Sequence, residues 1–363
     1  MEKDYKSDNN VVLPDHTALQ YSGRIDFTNS LEPTFIYPYS GIKTVFTGTK
    51  LDVIVRNHRD CWDNRLGFVI DGVQDCVLLP YDNTIIRLNL VKKLEDKEHT
   101  LFFFKRQDAC HYFDFLGFVL SETGELKQPE ERSSRRIEVY GDSVSAGEVA
   151  EAEDYIGKPD PEHNGEYSNA YYSYAAFLAR KLNAELHDIA QGGIALLDGT
   201  GYVAPPKYVG MESRYDKLRY LPALGAVNMW DFTRYSPHIV IVAIGQNDNF
   251  PEDYMAIDYN GEKAKYWRKK YKELVLHIRE KYPNAFIILK TTILEHNGNW
   301  DKAIDEVCED INDGRIEHFL YSNNGCGTPG HIRISEAEKM AEELGAYIEK
   351  FGDTIWQVKS ISV

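Results

Sequence analysis

The stretch Val139-Tyr140-Gly141-Asp142-Ser143-Val144-Ser145-Ala146-Gly147 sets a serine where an apolar run, Ile137 to Tyr140, gives way to a glycine-flanked turn. A hydroxyl in that position stands at the end of a strand, where a nucleophile can work. Glycine and serine are also ordinary turn residues, and Ser143 is as well suited to capping a helix, so the reading depends on its companions. Gly245-Gln246-Asn247-Asp248 follows a second apolar run, and His331 lies just before a strongly patterned helix.

Outward from this stretch toward the carboxyl end, strands alternate with helices. Short apolar runs at Ile137 to Tyr140, Ile239 to Ile244, Phe286 to Leu289 and Ile316 to Leu320 read as strands. Tyr171, Tyr174, Ala175, Leu178 and Leu182 mark one helical stripe, and Trp267, Tyr271, Leu274 and Ile278 mark a second that Pro283 ends. Ala337, Met340, Ala341, Leu344 and Ile348 mark the last, with Ser335 and Glu338 predicted as its capping box. Such alternation predicts a mostly parallel sheet covered by helices on both faces, with ligands bound beyond the carboxyl ends of the strands. Ser143 and Asn247 both follow a strand and are placed to line one crevice.

Toward the amino end the pattern is that of strands alone. Ile86, Leu88 and Leu90 alternate with polar residues, and Leu66 to Ile70 and Val73 to Leu79 flank the hairpin signal Asp71-Gly72. The expectation is an all-β sandwich over residues 1–122, a polar linker over 123–136 and an α/β domain over 137–363.

The chain has 363 residues, 43% hydrophobic and 27% charged, with 57 acidic against 41 basic side chains and a net charge of −16. That balance argues against nucleic acid and against an anionic membrane surface as partners. The five cysteines are scattered and odd in number, which fits reduced thiols better than a disulfide framework. Their spacing predicts no zinc site, and no carboxylate cluster resembles a calcium loop, so no metal or cofactor is expected. The amino-terminal MEKDYKSDNN carries no apolar leader, so a chain that naturally begins there is expected to be cytoplasmic. A homo-oligomer is compatible with the sequence.

Four blocks together resemble the SGNH, or GDSL-type, hydrolases: Gly141-Asp142-Ser143-Val144-Ser145-Ala146-Gly147, Ala190-Gln191-Gly192-Gly193-Ile194, Gly245-Gln246-Asn247-Asp248 and Gly330-His331. A β-rich domain ahead of such blocks, with Phe115-Leu116-Gly117-Phe118 and Gly327-Thr328-Pro329-Gly330-His331, looks like carbohydrate esterase family 2. The resemblance implies a three-layer α/β/α catalytic domain and a jelly-roll first domain. It also implies a serine acetyl esterase of plant-cell-wall saccharides such as acetylxylan or acetylated xylo- and manno-oligosaccharides. Ser143 would be the nucleophile and His331 its base. The oxyanion hole would comprise the Ser143 N–H, the Gly192 N–H, with Gly193 as the alternative, and the Asn247 amide. Without a leader, short acetylated oligosaccharides are the expected substrates.

Many members of this group carry an aspartate three residues before the histidine, where this chain has Thr328. The expectation is therefore a Ser–His dyad with a backbone carbonyl orienting the imidazole, the alternative being a distant acidic residue folded into place. Asp142 and Asp248 read as turn-holding residues rather than catalytic acids. Trp267 lies on an apolar stripe and reads as core, whereas Trp300, in the Asn297-Gly298-Asn299-Trp300 loop, is the candidate sugar platform. Competing readings are a short-chain acyl esterase or thioesterase on the same sheet, and a carbohydrate-binding protein with an inert α/β part.

Overall fold

The computed structural model describes residues 10–357, and the first nine residues, on which the reading of the amino terminus rests, lie outside them. The β-rich half forms two six-stranded sheets. One has the order Ile25–Asp26, Thr34–Phe35, Tyr112–Leu120, Leu51–His58, Ile85–Val91, with Val11–Val12 also pairing Tyr112–Leu120, and the other Leu126–Lys127, Gly41–Gly48, Lys97–Lys105, Arg65–Ile70, Val73–Leu78, with Gln20–Ser22 also pairing Gly41–Gly48. Asp71 and Gly72 turn the Arg65–Ile70 hairpin with φ of 51° and 83°, the left-handed pair that matches the twist of its strands. Alternate residues of facing strands, among them Phe35, Phe46, Phe103, Phe113 and Phe115, fill the space between the sheets.

The polar stretch after Leu120 is not unstructured throughout. Leu126 and Lys127 add to the sandwich by pairing with Phe46 and Val45, and Arg135 already opens the first strand of the second domain.

In that second domain we number the strands β1 (Arg135–Gly141), β2 (Ala184–Ala190), β3 (Ile239–Ala243), β4 (Phe286–Lys290) and β5 (Ile316–His318). They form one sheet in the order β2-β1-β3-β4-β5, parallel at every pairing. Besides a four-residue helix at Tyr254–Ile257, its α-helices are α1 (Ser143–Ala146), α2 (Tyr174–Lys181), α3 (Glu262–Lys281), α4 (Asn299–Ile311) and α5 (Ile334–Glu349). The period of two along the strands sorts them: Ile137, Val139, Ile239 and Ile241 pack against α2 and α5, while Tyr140, Val240 and Val242 pack against α3 and α4. Both faces are thereby covered, as a parallel sheet requires.

Two local expectations are corrected. The cap of α5 is formed by Arg333 and Glu336, not Ser335 and Glu338, because Ile334 is already helical and Glu336 Oε2 accepts the Arg333 N–H at 3.0 Å. Residues 299 onward form α4, so Trp300 sits in a first helical turn rather than a loop.

The two domains are interlocked. Ile36, Tyr37, Ala109 and Tyr112 of the sandwich share one apolar cluster with Tyr140, Tyr220, Trp230 and Val240. Arg24, fully buried, reaches under the parallel sheet, where its guanidinium donates to Glu138 Oε1 at 3.1 Å, Tyr140 Oη at 2.7 Å and the Tyr215 carbonyl at 2.7 Å. This union fixes the sandwich loops 60–62 and 108–110 over the carboxyl edge of the parallel sheet, where they line a common cleft.

Candidate active site

Ser143 follows β1 after the single residue Asp142 and opens α1, a helix of a single turn. Asp142 makes the turn by accepting the Val144 N–H at 3.0 Å, and Gly147 ends the helix at a φ of 71° where any Cβ would meet the Asn169 carbonyl at 2.4 Å. The same Asp142 accepts from Gln246 Nε2 at 2.7 Å and Asn247 Nδ2 at 3.2 Å, tying the β1 and β3 turns together. Burial pushes its carboxyl up to about 6, against these stabilising donors. Asp248 holds the neighbouring turn instead, accepting from the N–H groups of Leu196 at 2.7 Å and Leu197 at 3.1 Å.

His331, from the loop before α5, brings Nε2 to 2.8 Å from Ser143 Oγ. Its other nitrogen, Nδ1, lies 2.5 Å from Asp160 Oδ2. The expected dyad is therefore replaced by a Ser143–His331–Asp160 relay, whose acid comes from the irregular segment between α1 and α2. Thr328 does not replace it: its backbone bridges to Leu294, and its buried hydroxyl has no hydrogen-bond partner. Asp160 Oδ1 also accepts the His331 backbone N–H at 2.9 Å and Arg333 Nη2 at 2.7 Å. Burial opposes ionisation of Asp160, but the hydrogen bonds from His163, His331 and Arg333 prevail and hold it far below the usual carboxylate range. Burial likewise opposes the His331 imidazolium, and the Asp160 bond with the charge of Glu148 outweighs it, leaving His331 above its ordinary value.

The signal for Asp160 in the sequence is local only. Lys158-Pro159-Asp160-Pro161-Glu162-His163 frames an acid between two prolines, which stiffens its backbone, yet nothing in the pattern joins it to His331. Gly330 shows how closely the segments meet, since a Cβ there would lie 2.5 Å from the Lys158 carbonyl and 2.8 Å from Asp160 Oδ1.

Ser143, His331, Gly192, Gly193 and Asn247 all line one cleft of about 1130 Å³. The expected oxyanion donors differ in what their protons do. The Gly192 N–H is donated to Asp108 Oδ2 at 2.8 Å, an acceptor supplied by the sandwich, and Asn247 Nδ2 serves Asp142 and the Ile194 carbonyl, the latter at 3.1 Å. The Gly193 N–H meets no acceptor among the described residues. The Ser143 N–H, at the start of α1, belongs to the amides that no turn of that helix satisfies.

Trp300 is removed from the site. It is fully buried, packs at a right angle to Trp267 and donates its indole N–H to Asp253 at 3.2 Å, so it is core and not a sugar platform. The aromatic side chains on the cleft wall are Trp62, from the sandwich, and Tyr202. His296 is engaged by Asp301 at 3.0 Å, away from Ser143. Among the described residues, two clusters have ligand atoms within 4.8 Å of one another, Asp160 with His163 and His331, and Cys61 with Cys110 and His111. In the first, every ring nitrogen and carboxylate oxygen already has a hydrogen-bond partner.

With this geometry in place, the likeness to known proteins is specific. Residues 21–129 match the carbohydrate esterase 2 N-terminal domain. The solved structure of a family two carbohydrate esterase from Clostridium thermocellum in complex with cellohexaose superposes with a TM-score of 0.77 at 26% identity, covering 93% of this chain and 100% of that one. Both domains resemble carbohydrate esterase family 2. Of the similar proteins, the cellulase/esterase CelE of Acetivibrio thermocellus is 28% identical over 92% of this chain, which spans 40% of that protein's length. The acetylxylan esterase / glucomannan deacetylase of Cellvibrio japonicus is 24% identical, with 96% of this chain and 92% of that protein covered. The family two likeness thus runs through both domains.

Proposed function

We propose that the protein is a carbohydrate O-acetyl esterase that releases acetate from plant-cell-wall saccharides through an acyl-enzyme on Ser143. The observation that carries this reading is the Ser143–His331–Asp160 relay, with contacts of 2.8 and 2.5 Å, at the floor of a cleft walled by both domains.

In the resting arrangement Asp160 accepts from His331 Nδ1, which leaves Nε2 free to take the Ser143 proton as Oγ attacks the acetyl carbonyl. The Nε2 proton then goes to the departing sugar oxygen, the acetyl group stays on Oγ, and water activated by the same nitrogen releases acetate. The Ser143 and Gly193 N–H groups are the donors open to the oxyanion. Asn247 acts by keeping Asp142, and with it the serine turn, in place. One such donor contributes about 10²–10³ in turnover.

Ser143 is only 3% exposed at the base of the cleft, which favours short acetylated xylo- or manno-oligosaccharides over intact polymer. The test is acetate release by wild type and Ser143→Ala from acetylated oligosaccharides, intact xylan and butyryl esters. Wild type should prefer the oligosaccharides and lose rate on butyryl esters, and Ser143→Ala should release no acetate. Unchanged hydrolysis by Ser143→Ala would overturn the assignment of Ser143 as nucleophile, and preference for polymer would overturn the size argument.

A further inference from the structure

Beside the relay, on the wall of the same cleft, lies a second histidine that takes no part in the acyl transfer described above. His163 Nδ1 is 2.9 Å from Glu148 Oε1, and its Nε2 is 3.3 Å from Asp160 Oδ2, the oxygen that also meets His331. Carboxylates only accept hydrogen bonds, so an imidazole between two of them carries a proton on both nitrogens and is a cation. Its ring centroid is 5.3 Å from that of His331, with no side chain needed between them to transmit the charge.

The charges around His331 come from four segments. Asp160 and His163 face it from the segment before α2, Glu148 from the end of the α1 turn, Asp142 from the cap of α1, and Arg333 from its own loop, bonded to the His331 carbonyl at 2.7 Å. Asp108 stands beyond Glu148, the two carboxylates converging where a Gly192 Cβ would lie, at 2.7 and 2.3 Å. Acids therefore outnumber cations here, and left uncompensated they would hold His331 protonated and useless as a base.

We propose that His163 is a positioning residue whose fixed positive charge offsets Asp160 and Glu148 and sets the pH at which His331 becomes a base. This rests on the assignment of His331 as the base of Ser143. The bonds to Asp160 and Glu148 hold the His163 imidazolium up to about 10, so the charge persists through the neutral range. A cation this close lowers the basicity of His331, and its removal raises it. The acid limb of kcat/KM, which falls as His331 takes up a proton, then moves to higher pH.

The experiment compares kcat/KM against pH for wild type, His163→Gln and His163→Lys on an acetylated xylo-oligosaccharide. His163→Gln should move the acid limb upward by about one pH unit, the size expected for a charge at this separation in a partly screened site. His163→Lys, which keeps the charge, should return the limb to within a few tenths of wild type. A purely structural role would lower kcat and melting temperature in both variants without moving the limb. The His331 imidazole is also titrated by NMR in Ser143→Ala with and without His163→Gln, a readout independent of turnover. A higher midpoint in the double variant supports the proposal, and an equal or lower midpoint overturns it. Activity retained by Ser143→Ala would instead overturn the serine reading while leaving the titration comparison valid.

Discussion

Asp160 Oδ2 lies 2.5 Å from His331 Nδ1 although 171 residues separate the two in the chain. That contact fixes the tautomer of the imidazole, since a carboxylate on Nδ1 requires the proton there and bares Nε2 toward Ser143. Asp160→Asn removes the charge and offers an amide that can present the wrong group to Nδ1. Its kcat should fall by about 10³–10⁴. With the acid gone, burial dominates, the His331 pKa drops, and the acid limb of kcat/KM moves to lower pH. A profile of residual activity in Asp160→Asn checks both the size and the sign.

Gly330 tests the same contact without altering any charged group. A Cβ at this position must displace the Lys158 carbonyl, 2.5 Å away, and Asp160 with it. Gly330→Ala should therefore lose at least about tenfold in kcat, in the direction of Asp160→Asn, with KM changed far less. Steady-state kinetics on an acetylated oligosaccharide gives the split.

Trp300→Ala should behave as a core lesion. The ring is fully buried between Trp267 and Tyr254, so its loss costs about 3–5 kcal/mol of stability. Trp300→Phe, which keeps most of the volume, should leave KM for saccharide at the wild-type value, whereas a binding platform would show a raised KM. Urea unfolding and kinetics of the two variants separate these outcomes.

Arg24→Ala leaves Glu138 buried with its Arg24 partner gone, while the Tyr140 hydroxyl, 2.6 Å away, still donates to it. Breaking a buried pair in this way costs about 3–5 kcal/mol. Because Arg24 belongs to the sandwich and Glu138 to β1, denaturant melts should show both domains weakened together, with no separate stable transition for either.

What the sequence made legible follows from period and punctuation. Ile239 to Ile244 and Phe286 to Leu289 are short apolar runs bounded by turn residues; the blocks place Ser143 and Asn247 just after such runs and His331 just before a patterned helix, and the structure gathers them with Gly192 around one cleft. Strand β2 was hidden because Glu185, His187 and Asp188 interrupt its apolar pattern, yet His187 and Asp188 are buried. Gly298 beside Asn297 imitates a loop and concealed the start of α4, which put Trp300 in the wrong environment. Asp160 was beyond reach for a different reason: it lies in a segment without periodicity, and its role exists only through a tertiary contact. The sandwich's contribution to the cleft, Asp108 on the Gly192 N–H, is equally a product of domain packing and leaves no local mark.

The central claim is that Ser143 carries the acetyl group during turnover. Rapid acid quench of the enzyme with an activated acetyl ester, followed by peptide mass spectrometry, measures this directly. The account predicts a single acetyl group on the peptide containing Ser143 in wild type, absent in Ser143→Ala. Acetylation at another residue that accompanies full turnover, or turnover undiminished in Ser143→Ala, would contradict it.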